Sequence, residues 1–189
     1  MSDQKLKILA IAGSLRRGSF NKTLLNAAKD VAQDDFDISI YEGLGELPFF
    51  NQDLEGENLP ESVVALNKAI VDADAVLIST PEYSGATPGV LKNLLDWGAR
   101  PGGSGAFTGK PTAVIGASPT QYGASRSVDM TSKIVEAIGG VLVERKVMLG
   151  SAHERLDSNG VFSDEMIKKS LSDVLDGIAQ TVQKTVSVS

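Results

Sequence analysis

Short apolar runs alternate along the chain with longer segments whose apolar residues recur every three or four positions. The short runs predict strands over 6–12, 37–41, 75–79, 112–116 and 141–143, with an extension of the last through Met148 left open. The longer segments predict helices over 22–31, 61–71, 89–97, 127–138 and 164–182. Thr87 is the expected N-cap of the third helix, with Pro88 in its first turn, where helix starts favour both residue types. In the last helix Ile167, Leu171, Val174, Leu175, Ile178 and Val182 fall on one stripe, so that stripe is expected to be buried. Five β/α units in series predict an α/β fold: a three-layer sandwich in which helices cover both faces of a five-stranded parallel sheet. No repeat and no linker divides the pattern, so one domain over 1–189 is expected.

Between these elements lie irregular segments over 42–60, 100–110, 118–125 and 149–163. Arg100-Pro101-Gly102-Gly103-Ser104-Gly105 cannot hold one backbone conformation unaided, and reads either as a plain connection or as a lid. Phe49 and Phe50 stand side by side in an otherwise polar loop and are expected to bury, within the core or at a subunit interface.

Open parallel sheets bind ligands beyond the carboxyl ends of their strands, where strand order reverses. In the order 2-1-3-4-5, which five such units commonly adopt, the crevice lies between strands one and three. The loops leaving those strands carry the two most distinctive stretches of the sequence. The first is Gly13-Ser14-Leu15-Arg16-Arg17-Gly18-Ser19-Phe20-Asn21. A strand, a turn rich in Gly, Ser and Arg, and a helix start together make an anion site, since free backbone N–H groups and the helix dipole converge on one spot. Gly13 and Gly18 have the spacing of a nucleotide-triphosphate loop, but Ser19 and Phe20 replace its Lys and Ser/Thr. Leu15 also breaks the Gly-x-Gly-x-x-Gly pattern of dinucleotide folds. What remains suits a phosphate monoester, with Ser14, Ser19 and Asn21 as hydrogen-bonding groups and Arg16 as a bidentate donor. Arg17 reads as solvent-facing.

The second stretch runs from Thr80 through Pro81, Glu82, Tyr83, Ser84 and Gly85 to Gly89. Its prolines and glycines make main-chain groups available to a flat polar heterocycle, which Tyr83 could cover or beside which it could simply pack. Glu82, one carboxylate without a partner in sequence, reads as a turn or capping group before a catalytic acid. Lys92 and Asp96 form an i, i+4 pair. A third segment, Ser118 to Arg126 with Tyr122 and Gly123, leaves strand four beside the same crevice and offers hydroxyl and amide contacts.

Composition narrows the chemistry. The 189 residues are 42% hydrophobic and 22% charged, ordinary for a globular domain. No apolar run is long enough to span a bilayer, and the opening residues lack a signal peptide's apolar stretch, so a cytoplasmic protein is expected. The absence of cysteine removes disulfides, iron–sulfur ligation and a thiolate nucleophile, and one histidine, His153, argues against triads and His-rich metal sites. No metal is expected, and His153 reads as solvated or structural. With 18 basic against 24 acidic residues the chain repels polyanions, so nucleic acid is not expected as a partner.

With these residues in hand, the chain resembles the NADPH-dependent FMN reductase family, which includes chromate/quinone reductases and azoreductases of flavodoxin-like fold. The resemblance rests on the stretch from Gly13 to Asn21, on Pro48-Phe49-Phe50-Asn51-Gln52-Asp53, on Thr80-Pro81-Glu82-Tyr83 with Pro88 to Trp97, and on Gly109-Lys110-Pro111. It implies that Ser14, Arg16, Ser19, Phe20 and Asn21 surround the FMN phosphate and ribityl chain. It further implies that Pro81, Glu82, Tyr83 and Ser84 line the ring system, and that Ser118, Tyr122 and Gly123 close the pocket. Ser84 and Gly85 stand where the family usually has Asn, often followed by an aromatic. The resemblance also implies an NADPH or NADH donor, a small-molecule electron acceptor and a homodimer or homotetramer. An electron carrier of flavodoxin type, with FMN but no direct NAD(P)H oxidation, is the alternative. A flavin-free receiver domain would need Asp at the end of strand three, where Ser79-Thr80 stands.

Overall fold

Alternation on both sides of a continuous apolar run explains the sheet. A computed structural model of the chain describes residues 5–32 and 34–188. In β1 (Leu6–Ala12), Ile8, Ala10 and Ala12 face one helix layer while Leu9 and Ile11 face the other. The same division holds in β3 (Ala75–Thr80), where Leu77 opposes Val76 and Ile78, and in β4 (Pro111–Ala117), where Ala113 and Ile115 oppose Val114. Strands apolar on both faces belong at the centre of a covered parallel sheet. Every residue of β3 and of β4 is buried.

The sheet is parallel with the order β2-β1-β3-β4-β5, β2 being Phe36–Ile40 and β5 Val141–Leu142. α1 (Phe20–Val31) and α5 (Glu165–Val188) pack on one face; α2 (Glu61–Asp72), α3 (Gly89–Gly98) and α4 (Ser125–Ala137) cover the other. The expected stripe of α5 is buried from Ile167 to Ile178, with Val182 packed against its edge. Asp164 starts that helix, its carboxylate accepting from Met166 N at 2.7 Å. The fold is therefore the anticipated flavodoxin-like sandwich.

Several local expectations are corrected. The fifth strand is split: β5 pairs with β4 at Pro111 and Thr112, whereas a sixth strand, β6 (Met148–Leu149), pairs with it at Gly116 and Ala117. Val143 N still bonds Thr112 O and Val147 O still accepts from Gly116 N, so the chain leaves the ladder over 144–146. Thr87 does not cap α3, because its hydroxyl bonds Thr131 at 2.9 Å, and Pro88 takes the N-cap position. The loop over 42–60 is largely built of short 3₁₀ turns. It is pinned where Pro48 O accepts from Asn93 Nδ2 (2.9 Å) and Trp97 Nε1 (2.8 Å), and Asn93 Oδ1 takes Phe50 N–H at 2.7 Å. Phe50 meets Trp97 edge-on at 4.9 Å and is partly buried, but Phe49 is 91% exposed, so only one of the adjacent rings packs on the core.

Candidate functional site

The loops leaving β1, β3 and β4 enclose a cavity of about 400 Å³, within the range that holds drug-sized ligands. Its wall contains Ser14, Arg16, Ser19, Phe20, Asn21, Pro81, Glu82, Tyr83 and Ser118, together with Ala117, Pro119 and Thr120. Nine residues singled out from the sequence therefore converge at the predicted crevice.

At one end lies the start of α1. Ser19 is its N-cap, the hydroxyl accepting from Lys22 N at 3.4 Å, and it is almost fully buried. Two further amides of the first turn, Phe20 N–H and Asn21 N–H, have no acceptor among the described residues. Arg16 is exposed, with its guanidinium 5.1 Å from the centre of the Phe20 ring and without an acidic partner among the described residues. A cation, a hydroxyl and two open amides at a helix N-terminus are the donor set that a phosphate monoester requires. Arg17 lines a smaller cleft, about 220 Å³, on the opposite side of the same loop.

Asn21 lines the cavity, and its side chain is also engaged within the fold. Its Nδ2 donates to Ala117 O, and its Oδ1 accepts from both Ala117 N and Ser79 Oγ, each at 2.9 Å. One buried carboxamide thus joins the first turn of α1 to the ends of β3 and β4. Gly13 is constrained by the same close packing: a Cβ there would meet Leu91 at 3.0 Å and Pro81 at 3.3 Å.

The β3–α3 loop forms the other wall. Tyr83 and Ala86 exchange both backbone hydrogen bonds, and Ser84 (φ 53°) and Gly85 (φ 76°) between them are both left-handed, as a two-residue type I′ hairpin turn demands. The turn directs Ser84 to solvent. Glu82 reaches across to α4, where its carboxylate accepts from Arg126 N at 3.1 Å. That helix begins at Ala124, which has φ 61° and no side chain able to cap, so Glu82 supplies the missing acceptor from another loop. Thr80 Oγ1 adds a second tie, 2.8 Å from Ser127 Oγ.

The wall leaves out three expected residues, and each has a physical reason. Ser84 occupies the hairpin tip. Tyr122 is 67% exposed. Gly123 (φ 58°) packs against the β6 backbone, where a Cβ would stand 2.5 Å from Met148 O. Ala117, Pro119 and Thr120 take their place nearer β4. The position of Thr120 in the loop after a buried strand was a readable signal; the other two enter through backbone position, which composition does not announce. Ser118 meets the expectation, its hydroxyl 3.0 Å from Thr120 Oγ1. His153 is half-exposed beside Glu154 (3.5 Å) and does not line the cavity, although its neighbours Ser151 and Ala152 bond the backbone of Thr120 and Ser118. No group of His, Asp and Glu among the described residues is arranged to hold a metal ion, and none of their helices is long and apolar enough to cross a membrane.

A phosphate-type donor set at the end of β1, facing a rigid loop after β3, matches a known family. The profile of the NADPH-dependent FMN reductases fits residues 6–154. The chain belongs to that family. Within it, the chain is 38% identical over 179 residues to a 2-hydroxy-1,4-benzoquinone reductase of Burkholderia sp, covering 94% of this chain and 97% of that one. It is 33% identical to an NAD(P)H-dependent FMN reductase of Pseudomonas aeruginosa, over 97% of this chain and 98% of the relative. Among solved structures, FerB, a flavoenzyme NAD(P)H:(acceptor) oxidoreductase of Paracoccus denitrificans, superimposes with a TM-score of 0.85 at 32% identity, over 95% and 98% of the two chains.

Proposed function

We propose that this FMN reductase family member binds FMN in the cavity and couples NAD(P)H oxidation to reduction of a small quinone-type acceptor. The observation that carries the reading is the donor set at one end of the cavity: the Arg16 guanidinium without an acidic partner among the described residues, the Ser14 and Ser19 hydroxyls, and the open amides of Phe20 and Asn21. These groups would hold the phosphate. Pro81, Glu82 and Tyr83 would lie along the ring system, with Ser118 and Thr120 opposite. When bound, FMN supplies the redox chemistry, taking hydride from the nicotinamide and passing electrons to the acceptor.

The chain's own work is positioning and electrostatics. Asn21 fixes the phosphate turn relative to β3 and β4, so the donors are in place before the ligand arrives. The hairpin, in which Tyr83 N–H is spent on Ala86 O, holds the main chain rigid beside the ring, where the open Glu82 N–H would favour developing negative charge. The mouth beside Tyr83, itself half-exposed, leaves room for donor and acceptor to enter in turn. The names of the relatives favour a quinone as acceptor; azo compounds and metal oxyanions are further candidates for assay. The 91% exposed Phe49, held on a loop pinned to α3, supports a homodimer or homotetramer as the working form. The chain is proposed to work as one FMN-binding domain in the cytoplasm.

An absorption spectrum of fresh protein before and after anaerobic NADPH addition tests the proposal. Flavin bands that bleach with NADPH, together with quinone turnover faster than with free FMN, are expected. A flavin that NADPH does not reduce would favour the electron carrier, and a colourless protein that cannot be reconstituted with FMN would overturn both readings.

A further inference from the structure

Resting on the assignment of FMN to this cavity, we infer that the Glu82 carboxylate is a redox-tuning charge, fixed in the pocket wall by its hydrogen bond to α4, that holds the bound flavin at a lower potential.

Glu82 does two things at once. It lines the cavity, and it accepts from Arg126 N at 3.1 Å, replacing a cap that Ala124 cannot provide. The hydrogen bond fixes the carboxylate at the start of α4, at the partly exposed edge of the cavity. It also sits at the base of a hairpin whose two backbone bonds hold Tyr83 and Ala86, so its main chain is fixed as well. Glu82 forms no ion pair among the described residues, and only the amides of the α4 first turn offset its charge. The Arg126 side chain runs past Gly85 at the hairpin tip, where a glycine Cβ would stand 3.5 Å from its Nη1. Among the described residues that line the cavity Arg16 is the one cation, and it belongs to the proposed phosphate end.

Accepting a hydride brings two electrons and one proton to a neutral ring system and leaves it with one net negative charge. A fixed carboxylate in the same cavity opposes that charge through a partly water-excluded medium, where the interaction is stronger than in bulk solvent. The oxidised ring is neutral and is little affected. The consequence is a difference in affinity: the protein holds oxidised FMN better, relative to reduced FMN, than it would without the charge. By the thermodynamic cycle that difference is a lower midpoint potential. A lower potential makes the reduced enzyme a stronger donor, which suits acceptors that are hard to reduce.

The substitution Glu82→Gln separates charge from structure, because the Gln carbonyl still accepts from Arg126 N–H and has the same length. Dissociation constants of oxidised and reduced FMN, and the midpoint potential of the reconstituted protein, are measured for wild type, E82Q and E82A. E82Q is expected to strengthen binding of reduced relative to oxidised FMN by about tenfold. For a two-electron couple that is a shift of about 30 mV to more positive potential. E82A is expected to shift the potential in the same direction while also losing thermal stability through the lost cap. A potential unchanged in E82Q, whether or not E82A moves it, would show that the carboxylate acts only as a cap and would overturn the inference. Wild-type protein that binds no FMN would overturn the inference and the functional proposal together.

Discussion

The Ser14 hydroxyl lies 3.0 Å from the Tyr83 hydroxyl, joining the β1–α1 and β3–α3 loops across the cavity. The same Ser14 oxygen is 3.3 Å from Arg16 N, so the serine organises its own loop as well as reaching the opposite one. A ligand phosphate that recruits Ser14 must compete with Tyr83. Tyr83→Phe is therefore expected to speed FMN association, measured by stopped-flow quenching of flavin fluorescence, without weakening equilibrium binding. Slower association in Y83F would contradict a competing contact. Ser14→Ala removes the shared partner and is expected to weaken FMN binding about fivefold to tenfold, the worth of one hydrogen bond.

Arg16 is the cation of the proposed phosphate end and makes no ion pair among the described residues. A charge-assisted hydrogen bond contributes about 1.5–3 kcal/mol, so Arg16→Ala is expected to weaken FMN binding about tenfold to a hundredfold. Hydride transfer in FMN-saturated R16A should change less than about threefold, because the guanidinium is at the other end of the cavity from the ring-lining loop. Fluorescence titration and single-turnover reduction measure the two quantities separately. Equal loss in both would place Arg16 in the reaction itself.

Asn21 predicts a stability effect that needs no ligand. Removing its carboxamide strands Ala117 N–H, Ala117 O and Ser79 Oγ in a buried setting. Each such orphan costs about 1–3 kcal/mol, reduced where water enters, and Asn21→Ala is expected to destabilise the FMN-free protein by about 2–4 kcal/mol. Urea denaturation of the FMN-free protein is the measurement. A difference below about 0.5 kcal/mol would mean that the network contributes little to folding.

The hairpin tip offers the opposite sign. Ser84 has φ 53° in the first central position of a type I′ turn, a conformation that Asn tolerates better than Ser. Ser84→Asn is expected to raise the melting temperature of the FMN-free protein by a degree or two, and Ser84→Val to lower it. The exposed side chain leaves the cavity lining unaltered, so FMN affinity should stay within about twofold.

Acid sensitivity is expected at Asp157. Backbone hydrogen bonds from Val161 and Asn159, and one from Ser163, hold its carboxyl below the usual range against a smaller opposing effect of desolvation. A carboxyl lowered on folding contributes stability that is present above its unfolded value, about 3.9, and lost as pH falls through its lower folded value. Asp157→Asn should therefore lose less stability than wild type between pH 5 and the acid transition. Parallel acid melts of the two proteins check this directly.

The central strands were legible because they lie between two covered faces, and a continuous apolar run such as that from Ala75 to Ile78 has few other places to go. Topology then placed the loop after β1 at the cavity, since the crevice follows from strand order. Contacts between side chains distant in sequence were less legible. Nothing local to Asn21 indicates that its amide reaches Ala117, 96 residues away, and Glu82 pairs with an amide 44 residues on. The split of the last strand was hidden for a similar reason: its two halves are defined by which residues of β4 they meet. Phe49 and Phe50 look equivalent in sequence, and only the register of the loop on α3 decides that Phe50 turns inward.

That split edge has a consequence for the cofactor. Ser118 N bonds Leu149 O, Ser151 N bonds Thr120 O and Ala152 N bonds Ser118 O, so the fourth side of the pocket hangs from a two-residue strand. Short ladders open more readily than long ones. Fraying at this margin, seen as fast amide exchange around Leu149, would loosen the enclosure from behind, and the rate at which flavin escapes would then be governed by the outermost rung of the sheet.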